Sequence, residues 1–389
     1  MKTLTWGIYL VVFCLPLYLV RFKIFGIPTT VLEILIYVLF VFWLIKGFGF
    51  GEFKKLLITH YSLLAAVILI LIGVSLATIF SSDLRISAGI WKAWFIDPIL
   101  FFIVLVSVIR EKPAASQGKQ AGPSKCGAFV GVLYSLFLSG TVVSIISLAY
   151  LILGKLDPVG RLQTFYTSPN YLAMYLAPAL IIGFGLITRK NIISSTFILF
   201  SIICLVLSII FTYSFGAWLG IVAALGFGFF IYLLKLKKRL AWVILGFSLV
   251  FILILGYLAL IQRGASLETR LIIWQRAFEV FKTHPILGIG PGTFEGYPQP
   301  HNIFLAFLLQ TGIVGFIGFI WLLIWFLKTG FMNLASFNDA RFILILISMM
   351  IYILVHGLVD TTYWKNDLSA LFWTVTALMV ISKNRSIDE

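Results

Sequence analysis

Acidic side chains are scarce in this chain: 14 Asp and Glu stand against 29 Lys and Arg in 389 residues, with only four histidines and three cysteines. Charged residues make up 11% of the sequence and hydrophobic ones 61%. So little charge excludes a water-soluble fold, because a domain of this size could not hide that much apolar surface from water; the bilayer must be the solvent for most of it. A net charge of +15 would ordinarily point to nucleic acid. Here the basic residues sit in short connections between apolar runs, where they act as topology signals and lipid-phosphate contacts, so no nucleic-acid partner is expected. The few cysteines exclude a disulfide framework. Cys14 and Cys204 lie inside apolar runs and Cys126 ends a basic loop, so neither a disulfide nor a metal site is indicated. The opening Met1-Lys2 and its apolar run lack a small-x-small cleavage site, which predicts a retained first span.

What the chain has in abundance is apolar runs of membrane length. They fall at roughly 6–20, 29–48, 57–80, 90–109, 127–153, 171–187, 192–212, 217–234, 240–260, 302–326, 342–358 and 367–382. The expected fold class is therefore an all-α integral membrane protein, a single polytopic domain over 1–389 with about twelve transmembrane helices. With the N-terminus in the cytoplasm, most of the 29 basic residues fall on the inner side, which puts both termini there. The segment "PAASQGKQAGPSK" within 110–126 is small, polar and turn-rich, and predicts a flexible cytoplasmic loop. One long connection remains outside, at 261–301. The polar chemistry is expected in or beside it.

That loop opens with "RGASLETRLIIWQRAFEVFKTHP". Ser266 can cap a helix that Pro285 ends. At 100° per residue Trp274, Ala277, Phe278, Val280 and Phe281 share one face and Gln275, Arg276, Glu279 and Lys282 the other, so the helix is expected to lie flat on the membrane surface. Arg270 falls within the apolar face. Either it snorkels to water or lipid phosphate, or it meets a substrate phosphate, which Arg can hold with two parallel hydrogen bonds.

The loop closes with "HPILGIGPGTFEGYPQPHN". Gly288, Gly290 and Gly292 with Pro291 allow tight turns and close approach to a ligand. No Walker-type Lys-Ser/Thr follows, so this is not a nucleotide loop. His301 comes after Pro300 at the lip of an apolar run. A neutral imidazole there can take a proton from an incoming hydroxyl; an interfacial or capping histidine is the other reading of the same position. Gly312, Gly315 and Gly318 mark a face for close helix packing.

Several of these stretches together resemble the O-antigen ligase and polymerase superfamily, membrane glycosyltransferases acting on polyprenyl-pyrophosphate glycans. The resemblance is carried by "RLIIW" (270–274), "HPILGIGPGTF" (284–294) and "HNIFLAFLLQTGIVG" (301–315), with weaker support from "GRLQTFYTSPNYLA" (160–173), "TYSFGAW" (212–218) and "HGLVD" (356–360). It implies a bacterial cytoplasmic-membrane enzyme with one large extracytoplasmic catalytic loop. Such an enzyme moves a glycan from undecaprenyl pyrophosphate to an acceptor hydroxyl on a lipid, glycan or protein, with no metal or other cofactor. His301 corresponds to the family's proposed base and Arg270 to its pyrophosphate-binding arginine; single displacement would invert the anomeric centre. A repeat-unit polymerase of the same superfamily, or a multi-span glycolipid transporter, is the alternative. Two positions depart from the pattern. Phe215 stands where many ligases have a second arginine, for which Arg161 or Arg276 could substitute, and Gln310 stands where an acid is frequent.

The remaining polar residues are read more simply. Asn170 after Pro169 can contact sugar or phosphate or start a helix. His356 and Asp360 end a span, where interfacial solvation accounts for them. His284 stops a helix, and Lys92 and Asp97, about a turn and a half apart, could form a local ion pair.

Overall fold

The computed structural model describes residues 2–47, 58–109, 127–187, 192–234, 238–297, 299–336 and 340–383. The loop expected at 110–126, and Cys126 with it, lies outside them. Helices dominate, because a chain in lipid must satisfy its backbone hydrogen bonds internally. In order they are α1 (Lys2–Phe13), α2 (Val31–Ile45), α3 (Tyr61–Ile79), α4 (Leu84–Trp91), α5 (Asp97–Ile109) and α6 (Gly127–Ile152). There follow α7 (Pro169–Leu186), α8 (Ile192–Phe211), α9 (Phe215–Leu234), α10 (Lys238–Thr283), α11 (Ile303–Ser336), α12 (Ala340–Gly357) and α13 (Asn366–Lys383). Among the described residues eight helices are long and apolar enough to cross a membrane, and four shorter apolar ones accompany them. All of them overlie the apolar runs of the sequence.

The departures have local causes. The run at 6–20 divides, since α1 stops at Phe13 and a 3-10 turn, Leu15–Leu19, follows with Pro16 near its start; proline lacks the N–H that would continue a helix. Next comes a small antiparallel hairpin, β1 (Arg21–Ile24) and β2 (Ile27–Thr30). Its turn residues Phe25 and Gly26 both have positive φ, 49° and 80°, the backbone twist that two-residue hairpins need.

Lys92 and Asp97 do not pair. Five residues apart, around a π-helical turn at Lys92–Ile96, each finds its partner on one face of α2. Lys92 Nζ lies 2.6 Å from Glu33 Oε2, and the Tyr37 hydroxyl donates to Asp97 Oδ1 at 2.8 Å. Asn366 Nδ2 donates to Glu33 Oε1 at 2.9 Å, so the same carboxylate also ties in α13.

Helix α10 is the largest correction. It runs unbroken for 46 residues, roughly 69 Å at 1.5 Å per residue. Ser266 therefore caps nothing, and the expected flat surface helix is the continuation of an apolar helix instead. Gly264 weakens a helix without ending it, and no proline intervenes before Pro285, where α10 does stop. Its apolar face is covered by protein: Ile273 and Ala277 are buried against Phe294 and Leu309, with Val280 and Phe281 packed alongside. Phe278 remains exposed, under the ammonium of Lys282 at 5.0 Å. Gln275, Arg276, Glu279 and Lys282 face outward as expected.

Helix α11 packs along α3. Gly315 and Gly318 serve the close approach predicted for them, since a methyl at Gly318 would lie 2.7 Å from the Ala66 carbonyl oxygen. Gly312 does something different. Its φ of 63° breaks α11 into two helical pieces, and the gap admits the loop that follows α10, with Ile313 N donating to Pro285 O at 3.0 Å.

Candidate active site

A cavity of about 590 Å³ opens where α9, α10 and α12 meet the N-terminus of α7. Arg270, Arg161, Asn170, Asp360 and His356 line its polar side. Ile252, Leu253, Gly256 and Tyr257 of α10 supply apolar lining, and Leu253 and Tyr257 are themselves exposed on the helix surface. The lining thus combines cationic groups that suit an anion with apolar side chains that suit hydrocarbon.

The polar side is a continuous chain of hydrogen bonds. Arg161 Nε donates to Thr212 O at 2.8 Å and its Nη2 to Asn170 Oδ1 at 2.8 Å. Asn170 Nδ2 donates in turn to Asp360 Oδ2 at 2.8 Å. The other Asp360 oxygen accepts from Thr361 N at 2.9 Å and lies 3.1 Å from His301 Nδ1. Burial drives the Asp360 carboxyl upward, but the hydrogen bond from His301, with the Arg270 guanidinium nearby, outweighs it and holds the group at about 2, below the ordinary carboxylate value. A carboxylate can only accept, so His301 Nδ1 carries the hydrogen and Nε2 of the uncharged ring is left to receive a proton.

Local backbone explains why these side chains converge. Ser168 caps α7 by accepting from Asn170 N, which fixes Asn170 at the start of that helix. Asn302 caps α11, its Oδ1 accepting from Leu305 N at 3.0 Å while its Nδ2 donates to Leu358 O at 3.0 Å. Between Pro300 and that cap, His301 is held at φ 49°, a conformation that costs a non-glycine residue about 1–2 kcal/mol. Tyr213 has φ 48° as the chain enters α9. Trp218 N to Ser214 O is an early helical bond there, so residues 215–217 form the first turn, where a helix favours a nearby anion.

The glycine loop fits against protein. At Gly288, Gly290 and Gly292, all with positive φ, a methyl would strike the backbone around Leu309, the Ala77 carbonyl and the Ile86 side chain respectively. Ser87 Oγ donates to Pro291 O at 2.8 Å. Gln310 completes the clamp, its Oε1 accepting from Gly292 N and its Nε2 donating to Gln299 Oε1, both at 2.9 Å.

Of the predicted residues, Arg270, Arg161 and Asn170 share the cavity, and His301 joins it through Asp360. Arg276 does not. It borders a separate groove with Gln275, Glu279, Glu295 and Tyr297, because six residues on, at 100° each, it has turned well away from Arg270. Phe215, in the arginine position of many ligases, lines the cavity while the Arg161 side chain bonds to neighbouring Thr212. His356 and Asp360 are the residues sequence reasoning missed. Both were expected at a solvated interface and both are buried, 1% and 2% exposed. Their four-residue spacing, which sets two titratable groups on one side of a helix end, is the signal that could have found them.

The family model described as O-antigen ligase matches residues 200–320. This stretch is similar to that family. It runs from α8 through α9 and α10, over the glycine loop and His301, into α11, and so holds Arg270 and one wall of the cavity. The O-antigen ligase family is one of glycosyltransferase-type membrane enzymes, which accords with the helical, apolar architecture. No curated protein matches the chain.

Proposed function

We propose that the protein transfers a glycan from undecaprenyl pyrophosphate to an acceptor hydroxyl at the outer face of the bacterial cytoplasmic membrane, with both termini on the cytoplasmic side. The observation that carries this reading is one cavity lined by two arginines and by apolar, surface-exposed residues of α10, joined to a histidine–aspartate pair. Arg270, with Arg161, would meet the pyrophosphate by paired charge-assisted hydrogen bonds, and the polyprenyl tail would lie along Ile252, Leu253 and Tyr257 of α10.

In the reaction His301 Nε2 takes the proton of the acceptor hydroxyl, and Asp360 holds the ring orientation and stabilises the imidazolium that forms. The acceptor oxygen bonds to the anomeric carbon as the carbon–oxygen bond to the pyrophosphate breaks, and the arginines balance the charge that develops on the leaving group. Single displacement inverts the anomeric centre. General-base help of this kind contributes about 10² to 10⁴ in rate.

The test is binding of undecaprenyl pyrophosphate to wild type and Arg270→Ala in nanodiscs. Because the carrier is the leaving group whatever glycan it bears, the assay needs no knowledge of the sugar. The variant should bind at least about tenfold more weakly, as loss of a charged hydrogen-bond partner implies. Equal binding, with both proteins folded, returns Arg270 to a lipid-facing role and removes the proposal.

A further inference from the structure

His356 has no part in the proton transfer just described, yet it is buried in the wall of the same cavity. Its tautomer can be read from its neighbours. The Tyr352 hydroxyl donates its single hydrogen to Ala173 O at 3.1 Å, and His356 Nδ1 lies 2.8 Å from that same hydroxyl oxygen. With the tyrosine hydrogen already committed, the contact is satisfied only if Nδ1 donates to it. The uncharged ring then carries its lone pair at Nε2.

Gly216 keeps that nitrogen clear. A methyl group at position 216 would come within 3.0 Å of His356 Nε2 and 2.7 Å of Cδ2, so only glycine lets α9 pass this close to the ring. His356 lines the cavity, so a bound ligand can donate to that lone pair. The pyrophosphate cannot, since its ionised oxygens only accept. Of the parts of the proposed donor, the sugar carries the hydroxyl and amide N–H groups that can.

Resting on the function proposed above, we propose that His356 Nε2 accepts a hydrogen bond from a hydroxyl or amide N–H of the sugar attached directly to the pyrophosphate. His356 is on this account a residue that selects glycosylated over bare carrier.

Two substitutions separate this role from a structural one. His356→Asn can keep a donor near Tyr352 but has nothing at the Nε2 position; His356→Gln places an amide oxygen near the Nε2 position and gives up the Tyr352 bond. The measurement is the affinity of each protein in nanodiscs for bare undecaprenyl pyrophosphate and for the carrier bearing one N-acetylhexosamine. Wild type should prefer the glycosylated carrier. His356→Asn should lose about tenfold of that preference, the size of one buried hydrogen bond, while His356→Gln retains most of it. The reverse ranking, equal losses in the two variants, or no preference in wild type overturns the proposal. If wild type does not bind even bare carrier, the transferase reading falls and this inference with it; bare-carrier binding without a His356-dependent preference removes only this inference.

Discussion

His301 Nδ1 lies 3.1 Å from Asp360 Oδ1 across 59 residues of sequence, joining the lip of α11 to the loop that follows α12. The pair defines which ring nitrogen is left to accept a proton. Asp360→Asn keeps the size of the side chain but can turn an N–H toward His301, favouring the wrong tautomer. Turnover should fall at least about a hundredfold, with carrier binding changed much less, since the equivalent substitution in a catalytic triad costs about 10⁴. Initial rates of glycan transfer check this. An unchanged rate would remove Asp360 from the proton path.

The acidity of Asp360 also sets a pH dependence of stability. Its carboxyl is held at about 2 in the fold against an ordinary 3.8, so unfolding takes up protons between those values. The sign follows: the group contributes about 2 kcal/mol, fully present above pH about 4 and lost as the pH falls through about 2. Acid unfolding followed by tryptophan fluorescence should therefore show a steeper loss in that window for wild type than for Asp360→Asn. Superimposable profiles would contradict the assignment.

Arg161 and Arg276 make a matched comparison. Arg161 reaches the cavity through Asn170 and Thr212, whereas Arg276 borders the separate groove. Arg161→Ala should weaken undecaprenyl pyrophosphate binding by about tenfold, and Arg276→Ala should leave it within about twofold, a change of about 0.4 kcal/mol. A larger loss from Arg276→Ala would move the carrier site to the groove.

Gln310 is held by two bonds of opposite polarity, so an acid there is not a neutral change. Gln310→Glu keeps an acceptor for Gly292 N but cannot donate to Gln299. The buried mismatch should cost about 1–3 kcal/mol, visible as a lower melting temperature in detergent. Wild-type stability in the variant would mean the clamp bears little load.

Much of the fold could be read from the sequence because hydrophobic runs bounded by charge have few solutions in lipid. The helix stop at His284-Pro285 and the packing glycines at 315 and 318 depend on one residue and its immediate setting, and they emerge as expected. The break at Gly312 does not, since a glycine inside an apolar run looks the same whether it packs against a neighbouring helix or turns aside for an incoming loop. Arg270 and His301 were legible as chemistry-bearing residues in an apolar setting. Their connection through Asp360 was not. It requires the ends of α7, α11 and α12 to meet, and the periodicity of a single helix carries no information about such a meeting. The same holds for Lys92, whose partner Glu33 lies 59 positions away.

The unbroken course of α10 makes the candidate site mechanically answerable to the bilayer. A helix of 46 residues is more than twice the length needed to cross about 30 Å of hydrocarbon, and Arg270 rides on its far portion. When a thinner or thicker membrane changes the tilt of the inserted half, a rigid rod carries that tilt to Arg270 and to the loop and α11 residues packed on its far portion. Lipid chain length thereby becomes a handle on the distance between Arg270 and the groups anchored on α12. Transfer rates compared across nanodiscs of graded acyl length would register it.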